Sequence, residues 1–130
     1  EYQAKLLSNC KALAKALLDE GFRLVSGGTD NHLILVDLTN FDISGKEMQA
    51  RCDEVHITLN KNSIPNEPRS PFVTSGVRVG TAAVTSRGFI EEDMPEIARC
   101  MRMVITDFDK KDEIIRRVEA LCSKYPLYED

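Results

Sequence analysis

Hydrophobic positions recur at helical spacing through residues 3–20, where Leu6, Leu7, Cys10, Leu13, Ala14, Leu17 and Leu18 share one side. Gly21 follows Glu20, and a glycine just past the last apolar position predicts a helix end in the left-handed conformation. Residues 22–25 then predict a short strand and the polar cluster at 26–31 a turn. Residues 32–38 predict a buried strand, because Leu33, Ile34, Leu35 and Val36 run without a polar break. Ser44 and Glu47 stand three apart in the order of a capping box, so a helix is expected over 45–54. A third strand is expected over 55–59 and a stiff loop over 60–71, where Pro65, Pro68 and Pro71 fix φ and remove donors. Alternation returns over 73–79, with Gly76 and Gly80 bracketing Val77, Arg78 and Val79. Ser86-Arg87-Gly88 turns the chain. Glu91, Glu92 and Asp93 place negative charge where a helix N-terminus favours it, and Pro95 fits only a first turn. That helix is expected to carry Ile97, Met101, Val104 and Ile105 to about residue 108. A last helix over 111–125 buries Ile114, Ile115, Val118, Leu121 and Cys122, and Pro126 stops it.

Short strands among long helices predict two layers, with helices on one face of a small sheet. The 130 residues suit one domain, large enough to bury a core without staples. A hydrophobic share of 42% with 29% charged residues fits a globular chain and argues against disorder. The net charge of −4 argues against a generic nucleic-acid binder, which needs clustered positive charge. The longest aliphatic run, Leu33 to Val36, is far short of the ~20 residues a membrane helix needs. Glu1-Tyr2-Gln3 does not begin a signal peptide, so a cytoplasmic location is expected. The first residue is not Met and already lies in helical pattern, so the chain reads as a piece of something longer. Cys10, Cys52, Cys100 and Cys122 are widely spaced, which suits reduced thiols buried as small hydrophobes; His32 and His56 are isolated, and no metal site is expected.

Nucleotide-binding and hydrolase motifs are absent. Two segments mix glycines with polar side chains beside strands, residues 26–32 and 74–81, as ligand-contacting loops do. Arg78 is the first candidate. Alternation sets it opposite Val77 and Val79, and the flanking glycines are expected to clear room for it. A guanidinium there could grip a carboxylate through two parallel N–H···O bonds. From pattern alone, a solvated arginine or a structural ion pair stays open beside that reading. Asn62 offers a donor and an acceptor together, suited to a heterocycle edge, or simply forms a turn. His32 is a ligand, a base or a satisfied half-buried side chain, and His56 carries no role. Met94, Met101 and Met103 read as core, and the Lys110-Lys111 and Arg116-Arg117 pairs as a solvated face balanced by neighbouring acids.

Four strings together resemble the C-terminal domain of serine hydroxymethyltransferase along nearly the whole chain. They are Ser26-Gly-Gly-Thr-Asp-Asn-His32, Asn60-Lys-Asn-Ser-Ile-Pro-Asn66, Ser70-Pro-Phe-Val-Thr-Ser-Gly-Val-Arg-Val-Gly-Thr81 and Thr85-Ser-Arg-Gly88. The ending Tyr125-Pro-Leu-Tyr128 is similar too. The resemblance implies an α+β fold: the two-layer small domain of the aspartate-aminotransferase-like, fold type I enzymes, with a small, mostly antiparallel sheet. It implies that residues 1–130 are the C-terminal small domain of a pyridoxal-phosphate enzyme that interconverts serine and glycine, with tetrahydrofolate as one-carbon acceptor. It implies that Arg78 binds the amino-acid carboxylate, and that Asn62, Ser70, Pro71 and Phe72 lie at the folate site. The family's full enzyme is a homodimer or homotetramer.

Two departures qualify the resemblance. Ala82 follows Thr81 where the family usually has proline. The threonine-rich string with the cofactor lysine does not occur, nor do the family's phosphate, pyridine-nitrogen and catalytic-glutamate residues. The cofactor would then be bound mainly by a large domain outside this chain, no catalytic residue is expected here, and the piece alone is expected to be inactive. A free-standing amino-acid or folate binding module, and a protein-interaction domain, are the other readings of the same residues. An excised domain should also expose an apolar patch.

Overall fold

The computed structural model of the chain describes residues 2–25, 33–80 and 88–124. Glu1 and residues 26–32, 81–87 and 125–130 lie outside the described residues, and with them His32, Thr81, Ala82, the Thr85-Ser-Arg segment and the Tyr125–Tyr128 ending.

Helix α1 spans Tyr2–Asp19. Its end is a Schellman motif. Gly21 takes φ 93°, its N–H donates to the Leu18 carbonyl at 3.0 Å, and the Phe22 N–H donates to the Leu17 carbonyl at 3.0 Å. Strand β1 (Arg23–Leu24) is shorter than expected, and β2 (Leu33–Asp37) holds the apolar run. Helix α2 (Gly45–Glu54) has its expected bounds, and the Ser44 hydroxyl accepts from the Glu47 N–H at 3.1 Å. Only that half of the capping box forms, because the Glu47 carboxylate accepts instead from Arg51 Nε at 2.8 Å.

The expected third strand over 55–59 does not form. His56 ends α2 at φ 69°. Its N–H reaches the Asp53 carbonyl at 3.2 Å, and the Ile57 N–H reaches the Cys52 carbonyl at 2.9 Å. This is a second Schellman motif, with histidine in the position glycine usually takes. Val55 and Leu59 are buried and His56 and Thr58 exposed, so the alternation is real, but it lines a connection. Strand β3 falls instead on Asn60–Asn62, inside the expected proline loop. Strand β4 is Gly76–Gly80.

The sheet order is β1-β2-β4-β3, with every neighbouring pair antiparallel. Its inner face carries Ile34, Val36, Val77 and Val79, all buried; each such side chain contributes about 1.5–3 kcal/mol by leaving water. The 3₁₀ turn Glu91–Asp93 leads into α3 (Met94–Thr106), and the 3₁₀ turn Phe108–Lys110 into α4 (Lys111–Ser123). Helix α1 packs on α3 and on β1 and β2, α2 packs on β3 and β4, and α4 packs on α3. The chain is thus a small α+β domain of four helices and a four-stranded antiparallel sheet among the described residues. Met94, Met101 and Met103 are core, as expected.

Cys10, Cys52 and Cys100 are buried, and Cys122 is half-buried. Burial, reinforced by proximity to Cys100, pushes the Cys52 thiol up to about 12. Burial, together with the nearby Glu96 carboxylate, pushes the Cys100 thiol up to about 12. No described helix is long and apolar enough to cross a membrane.

The basic pairs are less simply solvated than expected. Arg117 reaches from α4 to Glu96 of α3 at 3.1 Å and to Glu113 at 3.6 Å. Lys111 reaches Glu54 of α2 at 2.9 Å. Asp93, one of the three acids expected at a helix start, is 1% exposed. It accepts from Lys124 Nζ at 2.6 Å and from the Ile90 N–H at 2.9 Å.

Candidate functional site

Antiparallel register assembles the site. Asp37, Leu35 and Leu33 of β2 stand opposite Gly76, Arg78 and Gly80 of β4, while Asn60 and Asn62 of β3 stand opposite Arg78 and Gly76. Successive side chains point to opposite faces, so all of these share the outer face, away from the helices. Arg78 is exposed at its centre, between buried Val77 and Val79. It makes no hydrogen bond or ion pair with any described residue. Asn62 is one diagonal away on the same face, a separation of about 7–8 Å between strand positions.

Gly76 does not clear room as expected. A Cβ there would lie 2.6 Å from Ile64 Cγ2 and 2.7 Å from the Val36 carbonyl oxygen. Glycine lets Ile64, itself buried, close over this end of the outer face. The loop of residues 63–75 is therefore a wall beside Arg78. In it Pro65 precedes Asn66 at φ 58°, the residue order a type II turn prefers.

Ser70, Pro71 and Phe72 form a tight turn in the same loop. The Ser70 hydroxyl accepts from the Phe72 N–H at 3.3 Å, and its carbonyl accepts from Val73 and Thr74 at 3.0 and 2.9 Å. Phe72 is 79% exposed, an aromatic ring with no described partner and a surface for a planar ligand or a second protein surface. No described hydrogen bond joins this turn to Arg78 or Asn62; it precedes Gly76 in the chain, and the residue after it is tied to the start of α2, where the Val73 carbonyl accepts from the Lys46 N–H at 2.9 Å. The Asn62 amide donates to the Ser63 carbonyl at 2.8 Å, a local bond that leaves its oxygen as an acceptor.

Thr74 takes φ 62°, an outlier for a β-branched residue, which costs on the order of 1–3 kcal/mol. Its surroundings hold it there. Its hydroxyl donates to the Gly76 carbonyl at 3.1 Å and its carbonyl accepts from the Gly45 N–H at 3.1 Å. A Cβ on Gly45 would lie 2.1 Å from the Thr74 hydroxyl oxygen, so the start of α2 is wedged against the strained residue.

Glu67, Arg69 and Ser75 were not singled out by sequence. The Glu67 carboxylate accepts from the N–H groups of Ile64, Arg69 and Ser75 at 3.2, 3.1 and 2.8 Å. Arg69 donates to the Ser75 hydroxyl at 2.9 Å. Burial alone would raise the Glu67 pKa, but hydrogen bonds from the Ser75 hydroxyl and from these three N–H groups outweigh it and hold the pKa below its ordinary value. The only sequence signal was an acid between two prolines, which reads as an ordinary loop residue.

Chemically, the outer face offers two guanidinium groups without a described ion pair, Arg78 at its centre and Arg23 opposite Asp37 on β1, together with Asn60, Asn62 and the Asp37 carboxylate, and the exposed Phe72 ring stands in the adjoining loop. A solvent-exposed ion pair is worth about 0–1 kcal/mol, so Arg78 would hold a carboxylate firmly only when another surface excludes water from it. Lys61, the nearest lysine in register, has the opposite parity to Asn60 and Asn62, and no described strand lysine shares the outer face. The described residues thus do not themselves fit pyridoxal phosphate, for want of an amine beside Arg78. Among them no group of three or more metal-ligating acids, cysteines or histidines gathers either. A surface cavity of about 450 Å³, lined by Lys15, Asp19, Glu91 and Glu92 among others, belongs to the helical layer and includes no outer-face residue.

The fold and this face describe a small α+β domain that presents an exposed arginine on one face of its sheet. Residues 1–101, which include every outer-face residue named above, match the family model of serine hydroxymethyltransferase. The chain belongs to the serine hydroxymethyltransferase family, a transferase family of one-carbon metabolism.

Proposed function

We propose that residues 1–130 form the C-terminal small domain of a serine/glycine hydroxymethyltransferase of fold type I, and that Arg78 grips the carboxylate of the amino-acid substrate. The observation that carries this reading is an exposed guanidinium without a described partner, centred on the outer sheet face. A bidentate grip fixes the carboxylate in plane and in distance, and so fixes how the rest of the amino acid is presented. Amines lacking a carboxylate are rejected, because they would leave the guanidinium unpaired in a covered site. Asn62, with Ser70, Pro71 and Phe72, forms the side that meets tetrahydrofolate, the ring offering a stacking surface and the amide a hydrogen-bonding edge. Pyridoxal phosphate belongs to a large domain outside this chain, which also supplies the surface that keeps water from Arg78. Assembly as a dimer or tetramer and a cytoplasmic location accompany this reading.

The test is Arg78→Lys in the full-length enzyme carrying this chain. An ammonium keeps the charge and loses the fork, so kcat/KM for serine should fall at least about a hundredfold. A fall of less than threefold would overturn the assignment. The isolated 130-residue chain, mixed with pyridoxal phosphate, should show neither transferase activity nor a stable borohydride-reducible adduct on one lysine.

A further inference from the structure

One carboxylate ties together the loop that walls Arg78. Glu67 bonds Ile64 near the loop's beginning and Ser75 at its end, with Arg69 between them. The Ser75 hydroxyl in turn accepts from Arg69, which adds a side-chain tie between the middle of the loop and its end. Ser75 is fully buried and adjoins Gly76, and Ile64 lies over Gly76, two residues from Arg78 on the same face. The bond network therefore runs from Ile64 through Glu67 to Ser75, at the start of the strand that carries Arg78. Thr74, strained at φ 62°, sits within that path. A loop that merely crossed the surface would have no use for a strained residue beside a carboxylate that takes three backbone N–H groups.

We propose that Glu67 is a positioning residue for this site: its carboxylate clasps the two ends of loop 63–75 and so fixes Ile64 and the Ser70–Phe72 turn relative to Arg78. The inference rests on the reading of Arg78 as the carboxylate grip. An amide in place of the carboxylate offers one acceptor oxygen and turns an NH₂ group toward N–H donors, so Glu67→Gln keeps the shape and breaks the clasp. Glu67→Asp keeps the charge and shortens the reach.

The experiment compares Glu67→Gln, Glu67→Asp and Ser75→Ala in the full-length enzyme carrying this chain, by steady-state kinetics and by amide hydrogen exchange. For Glu67→Gln, KM for serine and for tetrahydrofolate should each rise about tenfold with kcat within about threefold, since misplacement spoils binding geometry first. The Ile64 and Ser75 amides should exchange faster, while those of Val77 and Val79 stay protected. Glu67→Asp should recover part of the KM change, and Ser75→Ala should show a smaller change in the same direction even if Glu67→Gln fails to fold. Faster exchange with both KM values unchanged would overturn the proposal, leaving Glu67 a purely structural clasp. Unchanged exchange at Ser75 would overturn the clasp itself. An Arg78→Lys enzyme with normal serine kinetics would sink the carboxylate reading instead, whatever Glu67 does.

Discussion

Val77 and Arg78 are consecutive residues of one strand, and the two faces of the sheet treat them oppositely. Val77 is fully buried against the helical layer, whereas Arg78 stands exposed on the outer face with no partner among the described residues. The helical layer handles charge differently. Arg117, Lys111 and Lys124 each meet an acid from another element, Glu96, Glu54 and Asp93. The fold thus ties Arg117, Lys111 and Lys124 to acids across elements, while Arg78, like Arg23 on the same outer face, has no described ion pair.

The largest expected effect falls on the outer face. Arg78→Ala should lower kcat/KM for serine in the full enzyme by more than a hundredfold, about 3 kcal/mol, and should change the unfolding free energy by less than about 0.5 kcal/mol. Val77→Ala should do the reverse. Two methyl groups and the cavity they leave cost about 2 kcal/mol of stability in urea unfolding, with the substrate KM little changed. If both substitutions shifted both quantities alike, the division between the faces would not hold.

The acid limb of stability sharpens the contrast within the loop. The folded Glu67 pKa is depressed, so its contribution to stability is present above the ordinary value of 4.5 and is lost as pH falls through the lower folded value. Glu67→Gln should flatten the pH dependence of unfolding in that window, measured by denaturant titration at a series of acid pH values. At the other end of the scale, Cys52 and Cys100 remain neutral thiols up to about pH 12, where an unfolded cysteine ionises near 9.0. Both should resist alkylation at pH 8 in the native protein and react only on unfolding. The smallest effect belongs to Arg117→Ala. Its pairs with Glu96 and Glu113 are about one third exposed, and removing them should cost less than about 1 kcal/mol, with no change in substrate kinetics.

Much of this was legible from local pattern. Gly21 and Ser44 marked helix ends because capping depends on residues three to five apart. The alternation around Arg78 set its face because strand period needs no partner to be read. The same logic failed over 55–59, where alternation lined a connection after the His56 cap, and over 60–62, where polar Asn60, Lys61 and Asn62 form a strand because β4 is beside them. Nor could Glu67 be found, since its donors Ile64 and Ser75 become its neighbours only when the loop closes.

The sequence by itself determined the helices, the sidedness of β4 and the family of the chain, all carried by short-range chemistry or by an ordered string of residues. Only the tertiary structure decided that Ile64 fills the space over Gly76, that Asn62 shares a face with Arg78, and that Arg117 and Lys111 bridge helices. Those outcomes depend on which distant segments pack together, and a buried donor or an unpaired charge acquires its meaning only from what folding brings within about 3 Å of it.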